Sequence, residues 1–372
     1  MNKRRVILFS YMLTLLVGCV DPIDFDVPPA DEQIVIEGTI STDPGPYTVK
    51  VTKAIDLNED TVRASPVVQM KIILHDDIGN SEDFVETMPG IYVTNGAMQG
   101  EVGRSYHITM ETIDGKKYES EPDKLFPVGE ITDIRYEYEA RLKDEGFGEI
   151  PADVFNIYVD SEAGISDENY VRWKFTGLYK AETNPELKQE ILPSYPIPRP
   201  LPLPCSGYVV LPGVGNRIGK VDECTCCTCY AYQYEEYPQL SDDQLVSGNQ
   251  FNNIKVAEVP IDVGTFYEKY LVTIEQMSMT RNAFEFFRLV RSQKTNASSI
   301  FQPPSGEIRG NIKPANNNDT VIGLFWATSI KKKSTYIYRE DVPYPLTEKF
   351  FVPDACYNFY PNSSTTQPAE WE

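Results

Sequence analysis

The chain has 372 residues, of which 34 are basic, 55 are acidic and 41% are apolar. This composition excludes collagen-like, coiled-coil and wholly disordered proteins, and the length suits two folded domains. The net charge of -21 repels nucleic acid phosphates and anionic lipid headgroups, so neither is expected as a partner. The 23 tyrosines, 2 histidines and many short alternating apolar stretches favour β-structure with little acid-base chemistry.

The first nineteen residues predict export and lipidation. Three basic residues precede an apolar run over residues 6–17, which is too short for a transmembrane helix and typical of a secretory signal. The run ends in Leu16-Val17-Gly18-Cys19, the pattern of a bacterial lipobox. We therefore predict a signal peptide over residues 1–18, acyl chains on Cys19 as the membrane anchor, and an acidic tether over residues 19–31. The alternative is an ordinary signal peptide with a chance cysteine.

Short alternating segments predict an Ig-like β-sandwich over residues 32–125. Its first hairpin joins residues 34–40 to 47–51 through a turn rich in proline and glycine. Pro122 and Pro127 mark a boundary, because proline cannot join a central strand ladder. Further strands are expected at 67–74, 84–86, 91–94, 106–112 and 117–120.

A second, larger β-rich domain is predicted over residues 126–372, so the expected fold class is all-β. Apolar residues at three-to-four spacing in residues 279–293 predict one amphipathic helix that begins near Ser278 or Thr280. The basic run at residues 331–333 is expected in a solvated turn. Strands of this domain are expected at 131–138, 154–159 and 170–175.

Residues 182–249 change in character and predict an ordered insertion. Alternating prolines in residues 193–204 remove the donors of a strand ladder and favour a stiff polyproline II segment. The tyrosines that follow fit either one face of a strand packed on the core or an aromatic contact surface. We predict that this surface binds a partner through Tyr230, Tyr232, Tyr234 and Tyr237.

Six cysteines remain after Cys19, an even number in a chain predicted to be exported. Such cysteines are expected to form disulfides, whereas zinc sites favour two separated thiolate pairs. We predict three disulfides and neither a metal nor a cofactor, although the cluster at residues 224–229 also suits zinc or copper(I). The sequence leaves the connectivity open, except that adjacent Cys226 and Cys227 are not expected to pair. The six are Cys205, Cys224, Cys226, Cys227, Cys229 and Cys356.

The sequence offers little for catalysis. It contains neither a Gly-x-Ser-x-Gly nor a His-Glu-x-x-His motif. His75 precedes two aspartates and fits a strand end beside a charged turn, and His107 alternates with apolar residues as in a strand. A glycosidase needs two carboxylates, and 55 acidic residues neither support nor exclude one. We predict a protein that is not an enzyme.

Motifs of the second half resemble one protein family. With the lipobox, the strand at residues 34–38 and the segments 353–356 and 368–371, they resemble a Bacteroidota lipoprotein family classed as a domain of unknown function, number forty-two forty-nine. The resemblance covers nearly the whole mature chain and departs from the pattern at Tyr357 and Asn358, where a second cysteine is expected. The glycines at 310 and 323 are explained by turn and close-approach geometry. The motifs are YLVTIEQMS (270–278), FEFFRL (284–289), SIFQPP (299–304), IRGNI (308–312) and VIGLFWA (321–327).

Genes of this family tend to lie beside those of TonB-dependent outer-membrane transporters, and the acidic tether is similar to the export signals of Bacteroidota surface lipoproteins. The resemblance implies a lipid-anchored subunit on the outer membrane, facing the cell exterior, that captures a peptide, glycan or chelate or caps the transporter barrel. The family has no catalytic residues to carry over. The alternatives are a structural subunit of another outer-membrane complex and a carboxylate-dependent secreted hydrolase.

Overall fold

A computed structural model describes residues 33–54, 65–144, 146, 148–164, 169–192, 195–213, 216–241, 249–296, 308, 310–317, 319–346 and 351–372. The predicted signal peptide, Cys19 and the acidic tether lie outside these ranges. Within them, strands are the predominant secondary structure and two α-helices are present, which confirms the all-β class.

The first strands of the chain follow the predicted alternation closely. They are β1 (Gln33–Ser41), β2 (Thr48–Ala54), β3 (Ser65–Pro66), β4 (Lys71–Asp76), β5 (Ser81–Met88), β6 (Ile91–Val93), β7 (Ser105–Glu111), β8 (Lys117–Ser120) and β9 (Asp123–Lys124).

The middle of the chain adds longer strands and the hairpins of the insertion. They are β10 (Ile131–Glu139), β11 (Leu142–Asp144), β12 (Glu149–Pro151), β13 (Val154–Glu162), β14 (Tyr170–Glu182), β15 (Gln189–Leu192), β16 (Tyr195–Pro200), β17 (Tyr208–Val210), β18 (Ile218–Lys220), β19 (Thr228–Tyr234), β20 (Gln239–Ser241), β21 (Gln250–Pro260) and β22 (Lys269–Met279).

The last part of the chain alternates helices and strands. Its elements are α1 (Arg281–Asn296), β23 (Ile312–Pro314), β24 (Val321–Thr328), β25 (Ile330–Tyr338), α2 (Cys356–Phe359) and β26 (Ser363–Ser364). Short 3-10 turns lie at Pro185–Leu187, Pro204–Ser206 and Arg339–Asp341.

One sheet of eleven strands wraps around the first core in the order β23-β8-β7-β4-β5-β6-β2-β1-β24, with β3 beside β2 and β9 beside β7. Its two end strands come from the far end of the chain. β24 runs parallel to β1, from Ile34 opposite Val321 to Ser41 opposite Thr328, and β23 pairs antiparallel with β8. Phe325 of β24 is fully buried in this core. Residues beyond the expected boundary near 125 therefore complete the first core.

Two glycines, Gly310 and Gly323, allow the backbone of β24 to lie close to that of β1 and to that of the segment before β23. A Cβ atom at Gly310 would lie 1.4 Å from the carbonyl oxygen of Gly323, and one at Gly323 would lie 2.0 Å from the carbonyl oxygen of Ile36. Between them in the fold, the Asn311 side chain accepts a hydrogen bond from the Phe325 N–H (3.0 Å) and donates one to the Phe325 carbonyl (2.7 Å). Both glycines serve close backbone approach, as the sequence suggested.

The second core lies between a three-stranded sheet, β10-β13-β21, and a six-stranded sheet, β25-β22-β14-β19-β26 with β20 beside β14. Large aromatic side chains fill it, among them Phe155, Trp173, Phe251 and Tyr270. Successive side chains of a strand point to opposite faces of its sheet. Every second residue of β14 and β22 therefore points into this core, and the others form the outer face of the larger sheet.

The basic run is not a turn. Lys331, Lys332 and Lys333 belong to β25 and pair with β22. Lys331 forms an ion pair with Glu130, and the Lys333 ammonium donates to the Thr132 carbonyl, so both reach the region of β10 next to this edge. Lysines blunt a sheet edge because they are hard to bury against another strand. The prediction of a solvated turn was wrong, since a local charge run does not reveal a strand edge.

Helix α1 begins where the sequence predicted. The Thr280 hydroxyl oxygen accepts a hydrogen bond from the Ala283 N–H at 3.2 Å, the geometry of an N-cap. The buried face of α1, which includes Ala283 and Phe284, packs with Met277, Met279, Leu324 and Trp326 in a third apolar cluster. The helix therefore packs against strands of both large sheets.

Candidate partner-binding surfaces

Three disulfides close the insertion and confirm the prediction for the six cysteines. Cys205 pairs with Cys226 and Cys224 with Cys227, so the cluster closes on itself and on the preceding 3-10 turn. Cys229 pairs with Cys356, which fastens the C-terminal segment to β19 across 127 residues of sequence. Adjacent Cys226 and Cys227 take different partners, as expected.

The proline-rich segment forms a strand rather than an isolated polyproline II helix. Residues 195–200 pair antiparallel with β15, and Glu190 stands opposite Arg199 with a 2.9 Å ion pair between them. The prolines occupy positions 196, 198 and 200, so the N–H groups that remain all lie on one side of an extended chain. The side of β16 that carries these N–H groups can face a partner strand. The opposite side carries the proline nitrogens and does not pair with a strand, so it needs no hydrogen-bond donor. The prediction that these prolines prevent a ladder was wrong for this reason.

Two hairpins of the insertion, β15-β16 and β17-β18, and the residues next to them carry exposed apolar side chains. Ile191 is 65% exposed and Val221 64% exposed, whereas aliphatic residues of this size are usually buried. We call this set the insertion patch; it comprises Leu187, Ile191, Ile197, Leu201, Val209, Val210 and Val221. These seven residues fall within 35 residues of sequence, and a group of exposed apolar residues is typical of protein interaction sites.

The charge of this feature differs from that of the whole chain. Between residues 186 and 223, four acidic and four basic side chains cancel, although the whole chain carries -21. A neutral, apolar surface does not repel an acidic protein, and charged residues are depleted at the centre of protein interfaces.

The predicted tyrosine surface divides into a covered and an open part. Tyr230 is 8% exposed, its hydroxyl donates to Gln367 Oε1 at 2.9 Å, and its ring meets the Trp371 ring edge-on at 5.7 Å. Tyr232 is half-buried, and Tyr234, stacked on it at 6.1 Å, is 53% exposed. The last residues of the chain thus cover Tyr230 and leave Tyr234 available for contact.

Trp371 holds this C-terminal cover in place. Its ring is 5% exposed and packs with Leu178, Tyr230 and Leu271 in a small apolar cluster on the outer face of the six-stranded sheet. The Lys269 ammonium lies 5.2 Å from the Trp371 ring centre. Sequence reasoning did not link residues 363–372 to the tyrosines, and the even alternation of β19 gave no signal of it.

Tyr237 lies apart from the other tyrosines, beside helix α1, with the Arg291 guanidinium 5.6 Å from its ring centre. It lines a cleft of about 450 Å³ between α1 and the outer face of β1 and β24. Apolar side chains, among them Phe286, Phe287 and Trp326, form part of this cleft, and charged ones, among them Glu37, Lys50 and Lys294, also line it. Its size and mixed lining are those of a small-molecule site.

One ion pair shapes the cleft. The Arg172 guanidinium pairs with the Glu235 carboxylate and stacks 4.5 Å from the centre of the Phe287 ring. Both charged groups are largely buried, so the pair holds the segment before Tyr237 against α1.

A metal centre needs a cluster of ligating side chains, and a membrane-spanning helix needs a long apolar segment. Within the described residues, no group of three or more histidine, cysteine, aspartate or glutamate side chains is arranged to hold a metal ion. No helix in the same ranges has the length and apolar character needed to cross a bilayer.

Comparison with known proteins agrees with the resemblance of the motifs. No curated protein sequence matches the chain. A family model described as Domain of unknown function (DUF4249) matches residues 20–334, which is most of the chain. The match includes the strands of both large sheets up to Ser334, the insertion and the cleft. The chain therefore belongs to the DUF4249 family.

Proposed function

We propose that the chain is a non-catalytic, lipid-anchored surface protein of the outer membrane that acts as an accessory or substrate-capturing subunit of a TonB-dependent transporter. The observation that carries this proposal is the insertion patch. It presents aliphatic side chains to solvent on a framework closed by disulfides, and a monomer that binds nothing gains no stability from exposing them.

The rigidity of the two hairpins that carry the insertion patch supports its role as a docking surface. Proline at alternate positions restricts β16, and the Cys205–Cys226 bridge ties the base of the second hairpin. Little conformational entropy is then lost when a partner binds, so more of the contact energy appears as affinity.

The cleft beside α1, with its mixed lining, supports the capture of a ligand by the same subunit. A peptide, glycan or chelate of modest size matches its volume of about 450 Å³. The family resemblance supplies the expected partner, a transporter barrel in the outer membrane, and the lipobox supplies the expected anchor, Cys19.

Membrane attachment is tested first. Cys19→Ala should leave the leader uncleaved and the chain without acyl groups, so the protein should leave the outer-membrane fraction. Mass spectrometry of the mature N-terminus and fractionation of membranes measure both effects. Unchanged fractionation would contradict lipidation at this residue.

The partner is tested by affinity capture from outer membranes in mild detergent. A tagged wild-type chain should bring down a TonB-dependent barrel, and the double variant Ile191→Ser, Val221→Ser should bring down at least tenfold less, because two interface contacts of about 1–2 kcal/mol each are lost. Ile78→Ser with Ile113→Ser is a matched control, since these isoleucines are 69% and 78% exposed but lie in turns between strands of the first sheet, away from the insertion.

Three outcomes would count against the proposal. Equal capture by the patch variant and the control would remove the patch as the interface. A different outer-membrane complex as the captured partner would favour the structural-subunit alternative. Turnover of a glycan or peptide panel by the purified chain would favour a carboxylate-dependent hydrolase.

A further inference from the structure

The two histidines of the chain are neighbours in the fold. His75 on β4 stands opposite His107 on β7 in the antiparallel register. Their rings stack with centroids 4.8 Å apart and planes inclined by 17°. Both side chains are partly exposed, so solvent and small ions reach them. The two are 32 positions apart in the sequence, so the pattern around each histidine predicted an isolated role for it.

The Nε2 atoms of the two rings point toward the same row of the sheet. His75 Nε2 lies 2.9 Å from the Thr109 hydroxyl oxygen, and His107 Nε2 lies 3.8 Å from a carboxylate oxygen of Glu119. Thr109 and Glu119 are themselves opposite each other on β7 and β8. The two imidazole nitrogens are therefore directed to one side of the stack, rather than to opposite sides.

A surface cavity, two carboxylates and two lysines lie near that side of the stack. Thr109 and Glu119, the partners of the two Nε2 atoms, also line a surface cavity of about 270 Å³, whose lining includes Lys71 and Lys117 but neither histidine. The Glu119 side chain is 56% exposed. Asp83, on the neighbouring β5, stands opposite Ile73, two residues from His75, and adds negative charge to the same face.

We propose that His75 and His107 together bind a divalent transition-metal ion through their Nε2 atoms, with water filling the other positions. Neutral imidazole is a preferred ligand of Cu²⁺, Ni²⁺ and Zn²⁺, and it discriminates against Mg²⁺ and Ca²⁺, which take oxygen ligands. Metal-nitrogen bonds of about 2.0–2.1 Å require a modest rotation of each ring away from the stack. Glu119 stabilises the bound cation by its charge. The order of affinity is expected to place Cu²⁺ above Zn²⁺.

The proposal is tested on the mature chain without a histidine tag. Because the chain has 2 histidines, histidine-selective isotope labelling gives an NMR spectrum in which every ring signal belongs to this pair. One equivalent of Zn²⁺ should shift the signals of both rings together, and one equivalent of Cu²⁺ should broaden both. EDTA should reverse the Zn²⁺ shifts, and Mg²⁺ should cause none. Signals that do not move, or that move for one ring alone, would overturn the proposal.

Substitutions distinguish metal coordination by the two histidines from electrostatic attraction of the metal ion by Glu119. His75→Gln and His107→Gln should each weaken Zn²⁺ binding, measured by calorimetry, at least tenfold, whereas Glu119→Gln should weaken it severalfold. Glu111→Gln is the matched control, because Glu111 lies on β7 near the same cavity but away from the imidazole nitrogens, and it should bind as wild type does. Melting curves without metal establish that each variant is folded. Undiminished Zn²⁺ binding by the folded double histidine variant would also overturn the proposal.

Discussion

Gln276 shows how much one buried polar side chain supports. It stands opposite Trp173 in the register of β14 and β22, fully buried, and its amide oxygen accepts the indole N–H at 2.7 Å. Its amide nitrogen donates to the carbonyl groups of Gly129 (3.0 Å) and Glu162 (2.9 Å). Three polar groups from separate segments thus depend on one residue, which also belongs to the family motif at residues 270–278.

We expect Gln276→Leu to lower the free energy of unfolding by about 2–4 kcal/mol, because a buried indole N–H and two carbonyls lose their partner. Urea denaturation followed by tryptophan fluorescence measures the change. Gln293→Leu, at an exposed position of α1, should change the free energy of unfolding by less than about 0.5 kcal/mol. Equal effects of the two changes would show that the buried network is not stabilising.

The tyrosines of β19 allow a second test at the level of single residues. Tyr230→Ala should destabilise the fold by about 3 kcal/mol, since the ring is buried against Trp371 and its hydroxyl is paired. Tyr234→Ala, at a 53% exposed position, should leave the melting temperature nearly unchanged. A loss of partner capture with Tyr234→Ala alone would identify an aromatic contact; the two effects are measured by calorimetry and affinity capture.

Arg141 gives the fold a dependence on acid. Its guanidinium binds Glu139 at 2.7 and 2.8 Å and Glu258 at 2.7 and 2.9 Å, and these hydrogen bonds lower the pKa of both carboxyl groups to about 2. Because the ordinary pKa of glutamate is 4.5, the unfolded chain binds protons first as the pH falls. The stabilisation is therefore complete above about pH 5 and is lost between about pH 4.5 and 2.

Arg141→Gln should remove this part of the pH dependence. The variant should be less stable than wild type at pH 7, and the difference should shrink steadily as the pH falls toward 2, because both chains then hold protonated carboxyl groups. Denaturation curves at several pH values check the expectation. A difference that stays constant down to pH 2 would mean that Arg141 stabilises the fold by packing rather than by charge.

Among the larger elements, the C-terminal segment depends on one covalent link. Cys229–Cys356 spans 127 residues of sequence, whereas Cys224–Cys227 spans 3. A crosslink restricts the unfolded chain more when the closed loop is longer. The long-range bridge also holds α2 and β26 beside β19, where the chain end covers Tyr230.

We expect the double change Cys229→Ser, Cys356→Ser to destabilise the fold by about 2–5 kcal/mol and to expose Trp371, with a red shift of its fluorescence. The same change at Cys224 and Cys227 is the matched control and should have a much smaller effect. If the two pairs of substitutions are equivalent, the chain end is held by its side-chain contacts and not by the disulfide.

In the molecule as a whole, strands from the two ends of the chain share one core. β24 extends the edge of β1, and Phe325 and Ile312 fill space left by the strands of residues 33–124. We therefore expect a fragment of residues 20–128 to remain unfolded, as judged by poor dispersion of its NMR spectrum. The same fragment with residues 308–329 attached through a flexible linker should recover dispersed signals. Folding of the shorter fragment alone would contradict this account.

Local chemistry determined a large part of this protein. The strand positions of residues 33–124, the helix start at Thr280 and the use of the six described cysteines in disulfides follow from alternation, capping and an even cysteine count. Each of these signals depends on residues close together in the sequence or on composition. Each feature can therefore be predicted from the sequence without knowledge of the fold.

Only the tertiary structure decided which distant segments become neighbours. It paired β24 with β1, joined Cys229 to Cys356, covered Tyr230 with Trp371 and stacked His75 on His107. The physical reason is the same in each case. A strand edge, a thiol, an aromatic face or an imidazole accepts many partners, and the choice among them is made by the packing of the whole chain rather than by the residues beside it.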